Sequence, residues 1–177
     1  MILLMGIAGS GKGTQAQLLA EKKGYHIVTM GDVVRARVSD EQRARMLRGD
    51  LVTDDEIIQL LDEELRALPD QDNVLLDGFP RSIPQAEWLL EQAKSGRVRI
   101  QDVIHLVASR EAVKARLLDR ARADDNDAAI EKRFDEYQKS TSPILDWLSA
   151  HGVPVISINA EQAVEAVTAD IISQLAS

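Results

Sequence analysis

A single α/β domain, with a five-stranded parallel sheet between two layers of helices, is the fold this sequence predicts. Three observations predict it. Short apolar or β-branched runs alternate with helical stretches along the whole chain; 177 residues with 45% apolar content suffice for one core; and the first apolar run breaks at a glycine-rich loop that opens directly into a helix. Strands that alternate with helices pair in parallel, are covered on both faces and gather ligands at their carboxyl ends.

Each element follows from a local signal. Residues 1–5, Met-Ile-Leu-Leu-Met, are a short apolar run broken by Gly6 and read as a buried strand. A helix follows over about 13–23 and is ended by Gly24. Residues 25–29 contain Tyr, Ile, Val and Thr before Gly31 and form a second strand. From 31 to 52 the chain turns polar and basic, an excursion lying over the sheet. Thr53 and Glu56 then match a capping box, and Ile57, Leu60, Leu61, Leu65 and Leu68 recur at helical spacing until Pro69. Residues 73–76 are the third strand, ending at Asp77. After a turn at 78–81, a helix runs over about 84–94 and stops near Gly96; 103–107 make the fourth strand. Ser109 caps a helix that carries Arg116 and Arg120. Asp124, Asp125, Asn126 and Asp127 break that helix and start another through Tyr137; Pro143 opens a further short one to Ala150. A strand at 153–158 and a closing helix complete the chain, which contains no repeats or low-complexity tracts.

Composition narrows the function classes. Without cysteine, disulfides, thiolate zinc sites and thiol catalysis are excluded, so any metal is held by oxygen or imidazole and no zinc is expected. A net charge of -8 and 3% aromatic residues argue against a nucleic-acid surface, which makes any phosphate site a local arginine cluster. No long apolar span is present and the apolar start lacks a basic leader, so no membrane partner is expected and a cytoplasmic location is.

The chemistry begins in the loop Gly6-Ile7-Ala8-Gly9-Ser10-Gly11-Lys12-Gly13-Thr14. A strand followed by Gly-x-x-x-x-Gly-Lys and a helix lets backbone N–H groups converge on a phosphate without Cβ interference, while Lys12 reaches the outer phosphates. Gly13 stands where a magnesium-binding Ser or Thr follows the lysine in the general motif, which argues against a switch GTPase.

The run from Gly9 through Lys12 to Gln15 resembles the loop of the adenylate kinases. So do Gly31, Asp32 and Arg35 after the second strand, the Gly49-Asp50-Leu51-Val52 segment, and above all Asp77-Gly78-Phe79-Pro80-Arg81-Ser82-Ile83-Pro84-Gln85-Ala86, which matches that family's acceptor-site signature. Arg116, Arg120, Arg122 and Arg133 fit the arginines that flank its lid, so the similarity covers nearly the whole chain. The resemblance implies a P-loop NTPase sandwich with strand order 2-3-1-4-5, an acceptor-binding insertion at about 30–52 and a very short lid at about 120–127. It implies reversible transfer of the γ-phosphoryl group of ATP to AMP, giving two ADP, with Mg2+ as cofactor and ATP and AMP as small-molecule partners of a monomer.

Roles carried over by the resemblance are these. Gly9, Ser10, Gly11, Lys12, Gly13, Thr14, Arg116, Arg120 and Gln162 hold ATP, with Arg116 over the donor adenine. Met30, Arg35, Asp50, Leu51, Val52, Gly78, Phe79, Arg81, Gln85, Arg122 and Arg133 form the AMP side, where Arg35 and Arg81 hold the phosphate and Gln85 reads adenine. Lys12, Arg81, Arg120, Arg122 and Arg133 are the catalytic cations.

Physical chemistry supports that set. Two polyphosphates brought together need dense positive charge that also spreads over the transition state. Arginine binds phosphate through two parallel N–H bonds, a geometry lysine lacks. No general base is needed, because a phosphate acceptor with a second pKa of about 6 is already largely dianionic at neutral pH. Magnesium keeps several waters, so few protein ligands are expected; Asp77 and Thr14 are the candidates. Arg37, Arg43, Arg45 and Arg110 read as solvated helix faces, and His26, His105 and His151 as structural.

Two departures from the family pattern matter. Only Ala121 separates Arg120 from Arg122, a stub that predicts poor shielding of the donor site and ATP hydrolysis without AMP. Met30 stands where adenylate kinases usually have a threonine near the acceptor base. A kinase for CMP, UMP or GMP, a regulatory ATP-binding module, and a kinase for a small metabolite are the competing readings.

Overall fold

The computed structural model describes residues 1–39, 52–120 and 127–175. Strands β1 (Ile2–Met5), β2 (His26–Thr29), β3 (Val74–Asp77), β4 (Asp102–Val107) and β5 (Val155–Asn159) form one parallel sheet in the order β2-β3-β1-β4-β5. This is the predicted order. It seats β1 centrally, where Leu4 lies in register with both Asp77 of β3 and Ile104 of β4. All four residues of β1 and all four of β3 are buried, which is why both strands read as unbroken runs ending in a polar loop.

The helices are α1 (Lys12–Lys23), α2 (Met30–Arg37), α3 (Asp54–Ala67), α4 (Ile83–Lys94), α5 (Arg110–Arg120), α6 (Asp127–Glu136), α7 (Ser142–Ala150) and α8 (Val164–Leu175). Alternation along β1 divides the core. Leu3 and Met5 join Val33 of α2, Leu61 of α3, Leu89 of α4 and Leu148 of α7, whereas Ile2 and Leu4 join Leu19 of α1 and Ile171 of α8. A third cluster, Ile7 with Val113, Leu117, Ile130 and Phe134, ties α5 and α6 to the loop after β1.

Caps fix where helices begin. Thr53 Oγ1 accepts from the Glu56 amide at 3.3 Å and Glu56 accepts from the Thr53 amide at 2.9 Å, the predicted capping box. Ser82 caps α4 by accepting from the Gln85 amide at 3.3 Å, just ahead of the predicted start, with Pro84 in the first turn. Helix α2 grows directly out of β2 and is seated by buried Met30 and Val33. Residues 40–51 of the expected insertion and residues 121–126 of the expected lid lie outside the described residues.

One expectation is corrected. Residues 127–150 are not two helices separated at Pro143 but one continuous run, in which α6 passes through a π-helical turn, Tyr137–Thr141, into α7. The Ser142 amide reaches back to the Tyr137 carbonyl, and the wider turn accommodates a proline that donates no hydrogen bond in the first turn of α7. Tyr137 anchors this turn to the sheet, its hydroxyl bonded to Nε2 of His105 on β4.

Candidate active site

The loop after β1 is shaped by missing side chains. Gly6 has φ +142°, and a Cβ there would lie 2.7 Å from the Leu106 carbonyl oxygen and 2.8 Å from Ser10 Oγ, so neither backbone nor space admits another residue. Gly11, at φ +100°, is the N-cap of α1 with open space around its Cβ position, and α1 has no side-chain cap and no acid in its first turn. The first amides of α1 therefore have no intrahelical partner, and the positive end of the helix dipole stands at an open cavity. An anion is the natural complement. Lys12 folds over the loop, Nζ donating to the Gly6 carbonyl at 2.8 Å and the Ile7 carbonyl at 3.1 Å. Leu117 and Val113 of α5 press against Gly9, so α5 forms a wall of the loop.

Beside the loop, β3 ends at Asp77. Its side chain is buried, with the residue 9% exposed, and neither its Oδ1 nor Ser10 Oγ has a hydrogen-bond partner among the described residues. Burial pushes the Asp77 carboxyl above its ordinary value, opposed by the charges of Lys12 and Arg81 and reinforced by Asp32. A buried carboxylate oxygen left unpaired next to a phosphate loop is suited to a hydrated divalent cation, which supplies the missing partner through its own water. The exposed hydroxyl-bearing Thr14 lies on the first turn of α1, on the same cavity. Among the described residues no cluster of three or more His, Asp or Glu forms a metal cage.

The cavity has a volume of about 1220 Å³, more than the roughly 300–1,000 Å³ of a pocket for one small ligand. It runs from residues 9–14 past Asp77, Gly78 and Arg81 to Gly31 and Arg35, and Arg116 and Gln162 also line it. Its described charged residues are Lys12, Arg35, Arg37, Arg81 and Arg116 against Asp32, Glu64 and Asp77, a positive locality in a chain of net charge -8. The arginines are held in place. Arg81 Nε donates to the Gly78 carbonyl at 2.9 Å, Arg35 pairs with Asp32 at 2.5 Å, and Arg116 donates to the Ala160 carbonyl at 2.7 Å. Gln162 donates to Asp170 at 2.7 Å.

Other predicted site residues stand apart from this cavity. Met30 and Phe79 are buried in the core at 3% and 1% exposure, and neither they nor Val52, Gln85 or the half-buried Arg133 of α6 lines it. Gln85 is buried behind the turn that follows β3, a turn containing a cis Phe79-Pro80 peptide. Asp50, Leu51 and Arg122 lie outside the described residues, as does the side chain of Arg120.

Two arginines are more engaged than sequence alone indicates. Arg37 pairs with Glu64 and, at 3.7 Å, with Glu63, both on α3, and lines the cavity. Arg110 pairs with Glu131 and lies 4.5 Å over the Phe134 ring, and Lys114 pairs with Asp127 at 2.9 Å, so α5 and α6 are clasped together. Their partners come from other helices, and nothing in local spacing signals such pairings. Among the described residues no helix is long and apolar enough to cross a membrane.

Comparison with known proteins adds an independent line. The family model described as "Adenylate kinase" matches residues 4–153. An adenylate kinase of Synechococcus sp. (strain WH7803) is 39% identical over 99% of this chain and 98% of its own length. Adenylate kinases of Corynebacterium aurimucosum and Thermus thermophilus are 34% and 35% identical, covering 92% and 86% of this chain and 92% and 84% of their own.

Proposed function

This chain belongs to the adenylate kinase family, and on that premise we propose how its residues divide the reversible transfer of the ATP γ-phosphoryl group to AMP, giving two ADP. The observation that carries the reading is one cavity that joins an uncapped glycine-rich helix start to the Asp77–Arg81 turn.

The donor side is the loop. Amides at the start of α1 take the β- and γ-phosphates, and Lys12 leaves its two carbonyl partners to follow the charge that develops between donor and acceptor. Arg116 and Gln162 flank the donor nucleoside, and Arg120 adds charge at the end of α5. Mg2+ would be held by Asp77 and Thr14, largely through water, and would supply neutralisation of the phosphate charge.

The acceptor side is the turn after β3 with α2. Arg81 and Arg35 hold the AMP phosphate, and Gly78 leaves space beneath the Arg81 guanidinium, where a Cβ would lie 3.0 Å from Nη2. Gln85 reads the base, and Phe79, Met30, Asp50, Leu51 and Val52 complete the acceptor set. An acceptor phosphate oxygen attacks the γ-phosphorus as the bond to the β-γ bridging oxygen breaks. Arg122 and Arg133 spread charge over the transferring group. Residues 30–52 and 120–127 are the acceptor-binding insertion and the short lid that exclude water, and the short lid predicts measurable ATP hydrolysis without AMP.

A coupled assay across AMP, CMP, UMP and GMP tests the reading. AMP-dependent ADP formation with Mg2+, at a kcat/KM at least about 100-fold above the other monophosphates, is the expected result. Equal turnover of CMP or UMP would overturn the acceptor assignment.

A further inference from the structure

The side chain of Gln85 is held by two partners of opposite hydrogen-bonding sense. Its Oε1 accepts from the Arg81 backbone amide at 2.7 Å, and its Nε2 donates to Asp54 Oδ1 at 2.6 Å. A backbone N–H only donates and a carboxylate only accepts, so the orientation of this amide is dictated by chemistry. Flipping it would set oxygen against carboxylate and N–H against N–H at once. At 4% exposure, water does little to relieve either conflict.

Two valences of the amide remain among the described residues, since a primary amide has two N–H donors and two oxygen lone pairs. One donor and one acceptor side by side match a 6-aminopurine edge, where the N6 amino group donates and N1 accepts. A 6-oxopurine edge presents the reverse, with O6 accepting and N1–H donating. A glutamine free to flip serves both edges in one pose; a latched glutamine serves one.

We propose that Asp54 is a specificity-determining positioning residue, which latches the Gln85 amide in the orientation that accepts a 6-aminopurine and rejects a 6-oxopurine. The inference rests on the reading of Gln85 as the group that meets the acceptor base. Asp54 has no other role in that reading; it is the first residue of α3, directly after the Thr53 cap, and it tethers α3 to the acceptor turn. The second latch is the amide of Arg81, whose guanidinium holds the acceptor phosphate. Base reader and phosphate clamp are thereby set in register by one residue.

The experiment compares kcat/KM for AMP and for inosine monophosphate in four proteins: the parent, Asp54→Asn, Gln85→Met and the double variant. Asparagine nearly preserves the shape of Asp54 but can also donate, so it tolerates the flipped amide. The AMP preference is expected to fall about 10-fold or more in Asp54→Asn, the scale of one hydrogen bond to a charged group. In the Gln85→Met background the same change is expected to do nothing further. If Gln85→Met lowers the preference but Asp54→Asn does not, the latch is overturned while the acceptor reading stands. If Gln85→Met leaves the preference intact, the acceptor reading fails and the latch with it. A loss of preference from Asp54→Asn that persists in the double variant would also overturn the latch, since it would act elsewhere. Should Asp54→Asn melt below the assay temperature, Asp54→Ala takes its place in the same four-protein comparison, with the same outcomes for and against the latch.

Discussion

The loop and the turn to which we assign donor and acceptor lie at the carboxyl ends of adjacent strands β1 and β3, yet they are built in opposite ways. The loop is defined by what its residues lack: Gly6 sits where a Cβ would strike Leu106, and Gly11 leaves the start of α1 uncovered. The turn is defined by what its side chains hold: Arg81 folds onto the Gly78 carbonyl, and Gln85 spans the Arg81 amide and Asp54. A site made of backbone presents the same amides whatever the rest of the chain does. A site made of side chains is only as well oriented as the partners that hold them. Donor binding is thus expected to break at few positions and abruptly, acceptor recognition at many and gradually.

The largest effect is expected at Lys12. It is the one cation on the loop itself, and no neighbouring backbone group can replace its charge in the transition state. Lys12→Met is expected to lower kcat by about 1,000-fold with folding unchanged, read by single-turnover ADP formation and thermal melting. A loss under about 10-fold would show that the arginines carry the charge instead.

Arg81 sharpens the acceptor side. Arg81→Lys keeps the charge but loses the planar fork, and the bond to Gly78 that aims it. Turnover at saturating ATP is expected to show kcat/KM for AMP reduced by about 10- to 100-fold, while KM for ATP stays near its starting value. Equal effects on both substrates would erase the division between the two regions.

Asp77 lies between them and separates function from stability. Its unpaired buried oxygen destabilises the ligand-free protein, so Asp77→Asn is expected to raise folding stability by about 1 kcal/mol, and Tm by about 3 °C. Activity is expected to fall about 10-fold and the Mg2+ concentration for half-activity to rise. The sign follows from burial: with the carboxyl pushed upward, the folded state takes up a proton more readily than the unfolded one, so this group's penalty lessens as pH falls. A variant both less active and less stable would contradict it.

The same contrast explains what could be read from the sequence. The loop, its strand and the helix that follows were legible because a backbone site leaves its mark as glycine spacing. The strand order and the acceptor signature were legible through family resemblance. What could not be read depends on distant partners: Arg37 reaching Glu64, Arg110 clasping Glu131, and Asp54 latching Gln85 each join helices far apart in sequence. The π turn escaped for another reason. Pro143 signals a break, and only the wider Tyr137–Ser142 bond lets the helix continue past it.

The smallest effect concerns that turn and the wall it supports. His105 of β4 bonds the Tyr137 hydroxyl through Nε2 and faces Ser157 of β5 at 3.4 Å from Nδ1, with no carboxylate partner among its described bonds. Burial lowers its pKa below the ordinary value of 6.5. As pH falls through 6.5 the unfolded chain takes a proton that the folded protein resists, so this contribution is present above 6.5 and lost as pH drops toward the depressed folded value. Unfolding free energies from urea melts at pH 7.5 and 5.5 are expected to differ more in the parent than in His105→Gln, by about 1 kcal/mol or less. His26, His151 and the acids remain in both proteins, so the difference isolates this one ring. The loss is also local. Helix α6 leans on α5, which walls the loop after β1, through the cluster of Ile7, Ile130 and Phe134, whereas α4 and the turn after β3 belong to the separate cluster around Leu3 and Met5. Hydrogen exchange at pH 5.5 is therefore expected to quicken in α6 and the π turn while the amides of Gln85 and Ala86 keep their protection. If both regions loosened together, the donor wall and the acceptor turn would be one cooperative unit and not two.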